Sequence, residues 1–279
     1  MEMKTIGVVG AGKMGNGIVI SAAMAGYEVI LQNRTEANLI KALQSIEKQV
    51  QKLVQKNTLT AQESNAALAR IHTTSKFENF DTVDFVIEVV AENLDIKKAM
   101  FAQLDTLCKK EAVLVTSTST FSITTIAAAT QRPDKVAGMH FFIPPSKLVE
   151  ITRGYYSSDE TIDIAKAVGK QMGKISIEVK KDSPGFIANR IYTPLFLEAF
   201  KAYEEGLATK EEIDAAMKAT YLPIGPFELA DIIGLDILKD SLEYYEIQLG
   251  TAWKAPLALK QLVEAGRLGR KTGKGWYDY

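Results

Sequence analysis

Cysteine occurs once in the 279 residues, as Cys108. A lone cysteine excludes an internal disulfide and any cysteine-rich metal site, and it makes a reducing compartment the expectation. Histidine is nearly as scarce, with only His72 and His140, and no metal-binding residue is assigned. No apolar run approaches the ~20 residues of a membrane span. The N-terminus does not resemble a signal peptide, because a glycine-rich loop begins after nine residues; a cytoplasmic location is expected. A net charge of −1 gives no reason to expect nucleic acid or an anionic membrane surface as a partner. Internal repeats and low-complexity tracts are also missing.

The composition, 47% hydrophobic and 24% charged, is that of a soluble globular protein, and the length suits one large or two ordinary domains. Near the start, a β-rich run from Thr5 to Val9 feeds into Gly10-x-Gly12-x-x-Gly15, after which a helical apolar pattern begins (Ile18, Ala22, Ala25). Gly10 allows a tight turn, Gly12 lets a pyrophosphate approach the backbone, and Gly15 lets the helix pack close to the strand. The helix N-terminus supplies N–H groups and a positive dipole to phosphates. In its strand–turn–helix context the loop predicts dinucleotide binding, with Lys13 and Met14 included among the cofactor-binding residues.

Tyr27–Leu31 reads as the second strand of a βαβ unit. An NAD-preferring site usually carries Asp or Glu after it, accepting from the ribose 2′-OH. Here stand Asn33, Arg34 and Thr35, with Asn33 eighteen residues after Gly15. A neutral amide, a guanidinium fork and a hydroxyl suit a 2′-phosphate better than a bare diol, so NADP(H) is favoured, with NAD(H) possible. The plainer alternative is a turn in which Thr35 caps the next helix and Arg34 is solvated.

Residues 36–70 read as a helical hairpin inserted between strands and standing off the sheet, interrupted at Asn57-Thr58. Lys48, Lys52 and Lys56, four apart, share a face that would suit the phosphates of a large anionic ligand or form a solvated basic edge. Further strands are expected at Ile71–Thr74, Val83–Val89 and Ala112–Val115. The last leads into five consecutive hydroxyl residues, Thr116 to Thr120, and a helix opening near Ser122. Lys135 to Phe142 reads as a strand carrying His140, and Lys147 to Thr152 as one carrying Glu150, ten residues on. A histidine at a strand end with a carboxylate in reach is the arrangement of a general base and its orienter, although many such histidines are structural. His72, beside a strand start, is expected to be structural.

A helix over Thr161–Gly173 and a strand over Ile175–Val179 close the first domain, and Ser183-Pro184-Gly185 marks the boundary. The expected organisation is α/β: a Rossmann-type doubly wound sheet over 1–183, then an all-helical domain over 184–279. In the second part, Phe186–Glu205 carries Ile187, Ile191, Leu195 and Ala199 on one face, with Tyr192, Phe196 and Tyr203 beside them. A helix apolar all round is central to its domain or shared with a second subunit, and a homodimer is expected. Thr209-x-x-Glu212 is a capping box. Pro226 starts a helix running to about Leu249, and Pro256 starts the last, ending near Gly266.

In this order of motifs the chain resembles the short-chain L-3-hydroxyacyl-CoA dehydrogenase family over almost its whole length. The resemblance rests on Gly-Ala-Gly-Lys-Met-Gly15, Val-Ile-Glu88, Glu92-Asn-Leu-Asp-Ile-Lys97, Arg132 to Phe142, Pro184 to Arg190, Gly225 to Asp231 and Leu268 to Tyr277. It implies His140 as general base and Glu150 as its orienting carboxylate. Ser119 is implied at the substrate oxygen and also in the cofactor set. Asn189 is implied as an asparagine arriving from the helical domain, and Glu92, Lys97 and Lys271 as cofactor contacts. Lys56, with Lys52 beside it, is implied at the CoA moiety. The implied reaction is reversible hydride transfer at C3 of a 3-hydroxyacyl thioester such as 3-hydroxybutyryl-CoA.

Four departures stand out. The family usually has Asn directly after His-Phe-Phe, where this chain has Ile143. The segment before Glu150 is shorter by two residues, which preserves strand parity. The hairpin serine is replaced by Gln49, and the ribose-binding Asp by Asn33. Asn-Arg-Thr also resembles the NADP-binding turn of β-hydroxyacid dehydrogenases, but their catalytic Lys is expected where this chain offers Asn189-Arg190. The competing readings are a dehydrogenase of a free 3-hydroxy acid of the carnitine or gulonate type, and a non-catalytic crystallin-like protein.

Overall fold

The computed structural model describes residues 3–142 and 146–279. Two compact units divide the chain between Ser183 and Pro184. The first contains, in order, β1 (Thr5–Val9), α1 (Lys13–Met24), β2 (Glu28–Gln32), α2 (Glu36–Gln55), α3 (Ala61–Ala69), β3 (Ile71–Thr74), β4 (Phe85–Glu88), α4 (Leu94–Leu107), β5 (Val113–Thr116), α5 (Ile123–Ala127), β6 (Val136–Phe141), β7 (Leu148–Thr152), α6 (Asp159–Gln171) and β8 (Ile175–Val179). The strands form one sheet in the order β3-β2-β1-β4-β5-β6-β7-β8. Only the β6–β7 pair is antiparallel among the described neighbours. The run Phe85-Val-Ile-Glu88 is wholly buried, as in a parallel sheet covered on both faces. Strand order reverses between β1 and β4, which opens the ligand crevice at their carboxyl ends.

The helical hairpin does not stand off this sheet. α2 buries Leu39, Ala42, Ile46 and Val50, and these join the core cluster formed by α1 and the strands. A stripe at that spacing needs an apolar partner, and α1 supplies it. Asn57, in the left-handed region at φ 55°, makes the turn. A capping box between Thr60 and Glu63 then starts α3.

The second unit is helical: α7 (Ala188–Glu204), α8 (Lys210–Thr220), α9 (Pro226–Ile233), α10 (Leu235–Leu249) and α11 (Leu257–Glu264). The single helix expected from Pro226 to Leu249 is two helices. Gly234, at φ 107°, ends the first, because that backbone cannot continue the i→i−4 ladder. The expected face of α7 is also rotated. Thr193, Phe196 and Phe200 are buried, whereas Ile191 is 71% exposed. Phe200 stacks with Trp276 at 4.9 Å and Phe227 meets the same indole at 4.7 Å. Aromatic area outweighs aliphatic area in the choice of buried face.

Two buried aspartates organise this unit. Asp214 accepts from the amides of Phe227 (2.8 Å) and Glu228 (3.0 Å) at the start of α9. Asp231 accepts from the amides of Trp276 (2.8 Å) and Tyr277 (2.9 Å). Gly225 is needed because a Cβ there would overlap the Asp214 carboxylate.

Candidate active site

At the end of β1 the three glycines do separate jobs. Gly10 lies at φ 121°, and a Cβ there would strike the Val89 carbonyl after β4. A Cβ on Gly15 would overlap the Gly10 carbonyl, whereas one on Gly12 would meet nothing within 4 Å. Gly12 therefore faces open space at the N-terminus of α1, where no side chain caps the helix. Uncapped N–H groups around an open glycine form an anion cradle, so these residues fit the pyrophosphate of a dinucleotide.

At the end of β2, Asn33 Oδ1 accepts from the Thr35 amide and from Asn38 Nδ2, each at 3.3 Å. Thr35 is the N-cap of α2, accepting from the Asn38 amide at 3.4 Å. Arg34 is exposed, and no hydrogen bond or ion pair holds it among the described residues. The capping role of Thr35 is thus present, and the guanidinium remains available.

Between β4 and β5 a polar network is buried. Glu88, at the end of β4, accepts from Lys97 Nζ (3.0 and 3.2 Å), Thr116 Oγ1 (2.6 Å) and the Val90 amide (2.7 Å). Lys97 is 1% exposed and also pairs with Glu92 at 3.3 Å. Glu92 accepts from Thr118 Oγ1 (2.5 Å) and the Ser119 amide (3.2 Å). Ser119 Oγ lies 3.1 Å from Thr120 Oγ1 and is part-buried. Sequence reasoning missed Glu88 and Thr118 as working residues; the signal was a carboxylate closing an apolar strand, opposite a run of hydroxyls.

His140 and Glu150 face each other in register across β6 and β7, and Nδ1 lies 2.8 Å from Glu150 Oε2. Both are buried. Ala137, Met139 and Phe141 belong to the core shared with α1 and α6. By alternation His140 points to the opposite sheet face, the side on which a Cβ at Gly138 would strike Ile123 of α5. A proton donated from Nδ1 to the carboxylate leaves the ring's lone pair on Nε2, the state of a general base. Phe142 packs on the ring with centroids 4.2 Å apart. An apolar cavity of about 200 Å³, lined by Met14, Ile18, Phe141 and Phe142, lies mostly on the other face and is not the site of this pair.

Residues 5–183 match the family described as 3-hydroxyacyl-CoA dehydrogenase, NAD binding domain, and residues 185–279 match its C-terminal domain. The chain belongs to the 3-hydroxyacyl-CoA dehydrogenase family. It is 41% identical to the 3-hydroxybutyryl-CoA dehydrogenase of Clostridioides difficile, over 98% of this chain and 99% of that one. The Bradyrhizobium diazoefficiens 3-hydroxybutyryl-CoA dehydrogenase is 39% identical over 99% and 96%. Among solved structures, (S)-3-hydroxybutyryl-CoA dehydrogenase from Ralstonia eutropha superposes with a TM-score of 0.95 at 40% identity, covering 100% and 99% of the two chains.

As a member of this oxidoreductase family, the chain carries the remaining expected residues in different settings. Lys48, Lys52 and Lys56 are exposed along and just beyond α2. Gln49 donates to Ser45 Oγ at 3.2 Å. Asn189 is in the first turn of α7, half-buried, within the second unit. Lys271, in that unit too, pairs with Asp236 at 2.5 Å. His72 is exposed and contacts Glu28 at 3.1 Å. The Ile143 departure, with Pro144 and Pro145, lies outside the described residues. No helix among the described residues is long and apolar enough to cross a membrane.

Proposed function

We propose that this protein catalyses the reversible oxidation of (S)-3-hydroxybutyryl-CoA to acetoacetyl-CoA with NADP(H). The observation that carries the reading is the buried His140–Glu150 pair, on the sheet whose first turn is a dinucleotide cradle. When bound, the nicotinamide supplies the hydride acceptor or donor. His140 takes the substrate hydroxyl proton on Nε2, and Glu150 holds the tautomer and stabilises the imidazolium. Ser119 bonds the reacting oxygen, and Asn189 has the same duty by family role. Acid–base assistance of this kind is worth about 10²–10⁴-fold in rate.

Gly10, Gly12, Lys13, Met14 and Gly15 hold the pyrophosphate side, with Glu92 and Lys271 in the cofactor set. Preference for NADP(H) rests on Asn33 standing where a carboxylate would repel a 2′-phosphate, and on the exposed Arg34. Glu36, in the first turn of α2, is the observation on the side of NAD(H). Lys52 and Lys56 take the CoA phosphates. The exposed Ile187 and Ile191 of α7 support a homodimer, and the single cysteine supports a cytoplasmic location.

The test follows NADPH and NADH oxidation in parallel with acetoacetyl-CoA. Faster use of NADPH is expected. Equal or better use of NADH overturns the cofactor assignment. No turnover with either overturns the substrate, and a free 3-hydroxy acid becomes the next candidate.

A further inference from the structure

We propose that Thr118 is a positioning residue for Ser119, and that Lys97 anchors the Glu92 carboxylate to which Thr118 is bonded. The inference rests on the function proposed above, in which Ser119 meets the substrate oxygen.

Hydrogen-bond counting carries it. A threonine hydroxyl has one proton and two lone pairs. Thr118 Oγ1 donates its proton to Glu92 Oε1 at 2.5 Å and accepts from the amides of Thr120 (3.2 Å) and Phe121 (3.1 Å). It has no capacity left for a ligand. The same Glu92 oxygen accepts from the Ser119 amide at 3.2 Å, so one carboxylate oxygen holds two consecutive residues of the loop. Thr116 does the same one step earlier, donating to Glu88 and accepting from the Thr118 amide at 3.2 Å.

Glu92 is on a loop, with its side chain 36% exposed, and would swing without an anchor. Lys97 is that anchor. Its Nζ donates to Glu88 Oε1 at 3.0 Å and to Glu88 Oε2 at 3.2 Å, and it forms an ion pair with Glu92 Oε2 at 3.3 Å. The side chain is 1% exposed. The chain of contacts therefore runs from a rigid strand end, through Lys97 and Glu92, to the loop that presents Ser119. The Ser119 hydroxyl is bonded to neither carboxylate.

The experiment compares Thr118→Val, Thr118→Ser, Ser119→Ala and Thr118→Val/Ser119→Ala in the full chain, with acetoacetyl-CoA and each nucleotide. Thr118→Val is expected to lower kcat/KM for the acyl substrate about 10–100-fold, as sub-ångström misplacement does. Thr118→Ser restores most of the rate, and the double variant matches Ser119→Ala. Additive losses, or Thr118→Ser as poor as Thr118→Val, overturn the proposal. Amide hydrogen exchange at residues 118–121 supplies a readout independent of turnover. Exchange about tenfold faster in Thr118→Val is expected, and unchanged exchange overturns the positioning. A wild-type chain without turnover would refute the proposed function alone, and exchange would still decide this point. Lys97→Met, or Glu88→Gln/Lys97→Met if the single variant does not fold, is expected to raise the same exchange. Unchanged exchange in the variant that folds would overturn the anchoring role of Lys97.

Discussion

His140 Nδ1 lies 2.8 Å from Glu150 Oε2, and the contact is a cross-strand pair of the one antiparallel step in the described sheet. Directly opposed residues in an antiparallel pair point to the same face about 5 Å apart. The imidazole is thus oriented by sheet register as well as by its own hydrogen bond. Glu150→Gln keeps an acceptor but removes the charge that stabilises an imidazolium. We expect kcat to fall about 10–100-fold for that variant and about 10²–10⁴-fold for His140→Ala. Nucleotide Kd should be largely unchanged in both. Steady-state kinetics beside a fluorescence titration check this, and full turnover in His140→Ala would remove the base.

The two ends of the glycine motif should behave oppositely. Gly12→Ala places a methyl in open space, so stability should stay within about 0.5 kcal/mol while nucleotide binding weakens at least about tenfold. Gly15→Ala overlaps the Gly10 carbonyl and should destabilise by about 1–3 kcal/mol. Denaturant melts and nucleotide titrations on the two variants separate the roles.

Arg34 is exposed and unpaired among the described residues, so its removal leaves no buried charge behind. Arg34→Ala should weaken NADP(H) binding by about 1.5–3 kcal/mol, roughly 10–150-fold, and leave NAD(H) nearly untouched. The ratio of kcat/KM values for the two nucleotides measures it. An unchanged ratio would return Arg34 to the solvated turn.

Burial pushes the Cys108 thiol up to about 11, with Asp105 adding to the shift and Arg132 opposing it. At pH 8 the thiolate fraction is then on the order of 10⁻³. A thiol reagent should not label the native protein at that pH, and one equivalent should react after denaturation. Rapid native labelling would show that the helix end carrying Cys108 opens.

Ile191 is 71% exposed on α7, whereas the opposite face is committed to the aromatic cluster. If that stripe is the dimer surface, Ile191→Lys should yield a monomer of unchanged helicity by light scattering and circular dichroism. An unaltered mass would place the interface elsewhere or remove it.

Local chemistry was legible from the chain. Gly10, Gly12 and Gly15 act within one turn, and their backbone demands hold in any fold that uses them. The Thr209–Glu212 capping box, present in the structure, spans four residues. The strand runs of the α/β sheet were readable for a related reason: strands covered on both faces must be apolar throughout. His140 and Glu150 could be named as a pair because strand alternation is itself local.

Tertiary structure decided what depends on partners distant in sequence. Which face of α7 is buried was settled by Trp276 and Phe227, since a helix apolar on several sides has no preferred face by periodicity. Gly234 reads as one more tolerable glycine until its φ of 107° is seen. Lys97 looks like an ordinary lysine near a helix start, and only the packing of α4 on the end of β4 buries it against Glu88. The sequence by itself marked a strand–turn–helix glycine loop, and a histidine with a carboxylate ten residues on as a candidate base and orienter. The fold decided that two carboxylates, rather than solvent, would hold the hydroxyl loop around Ser119, because that requires two strand ends to lie side by side.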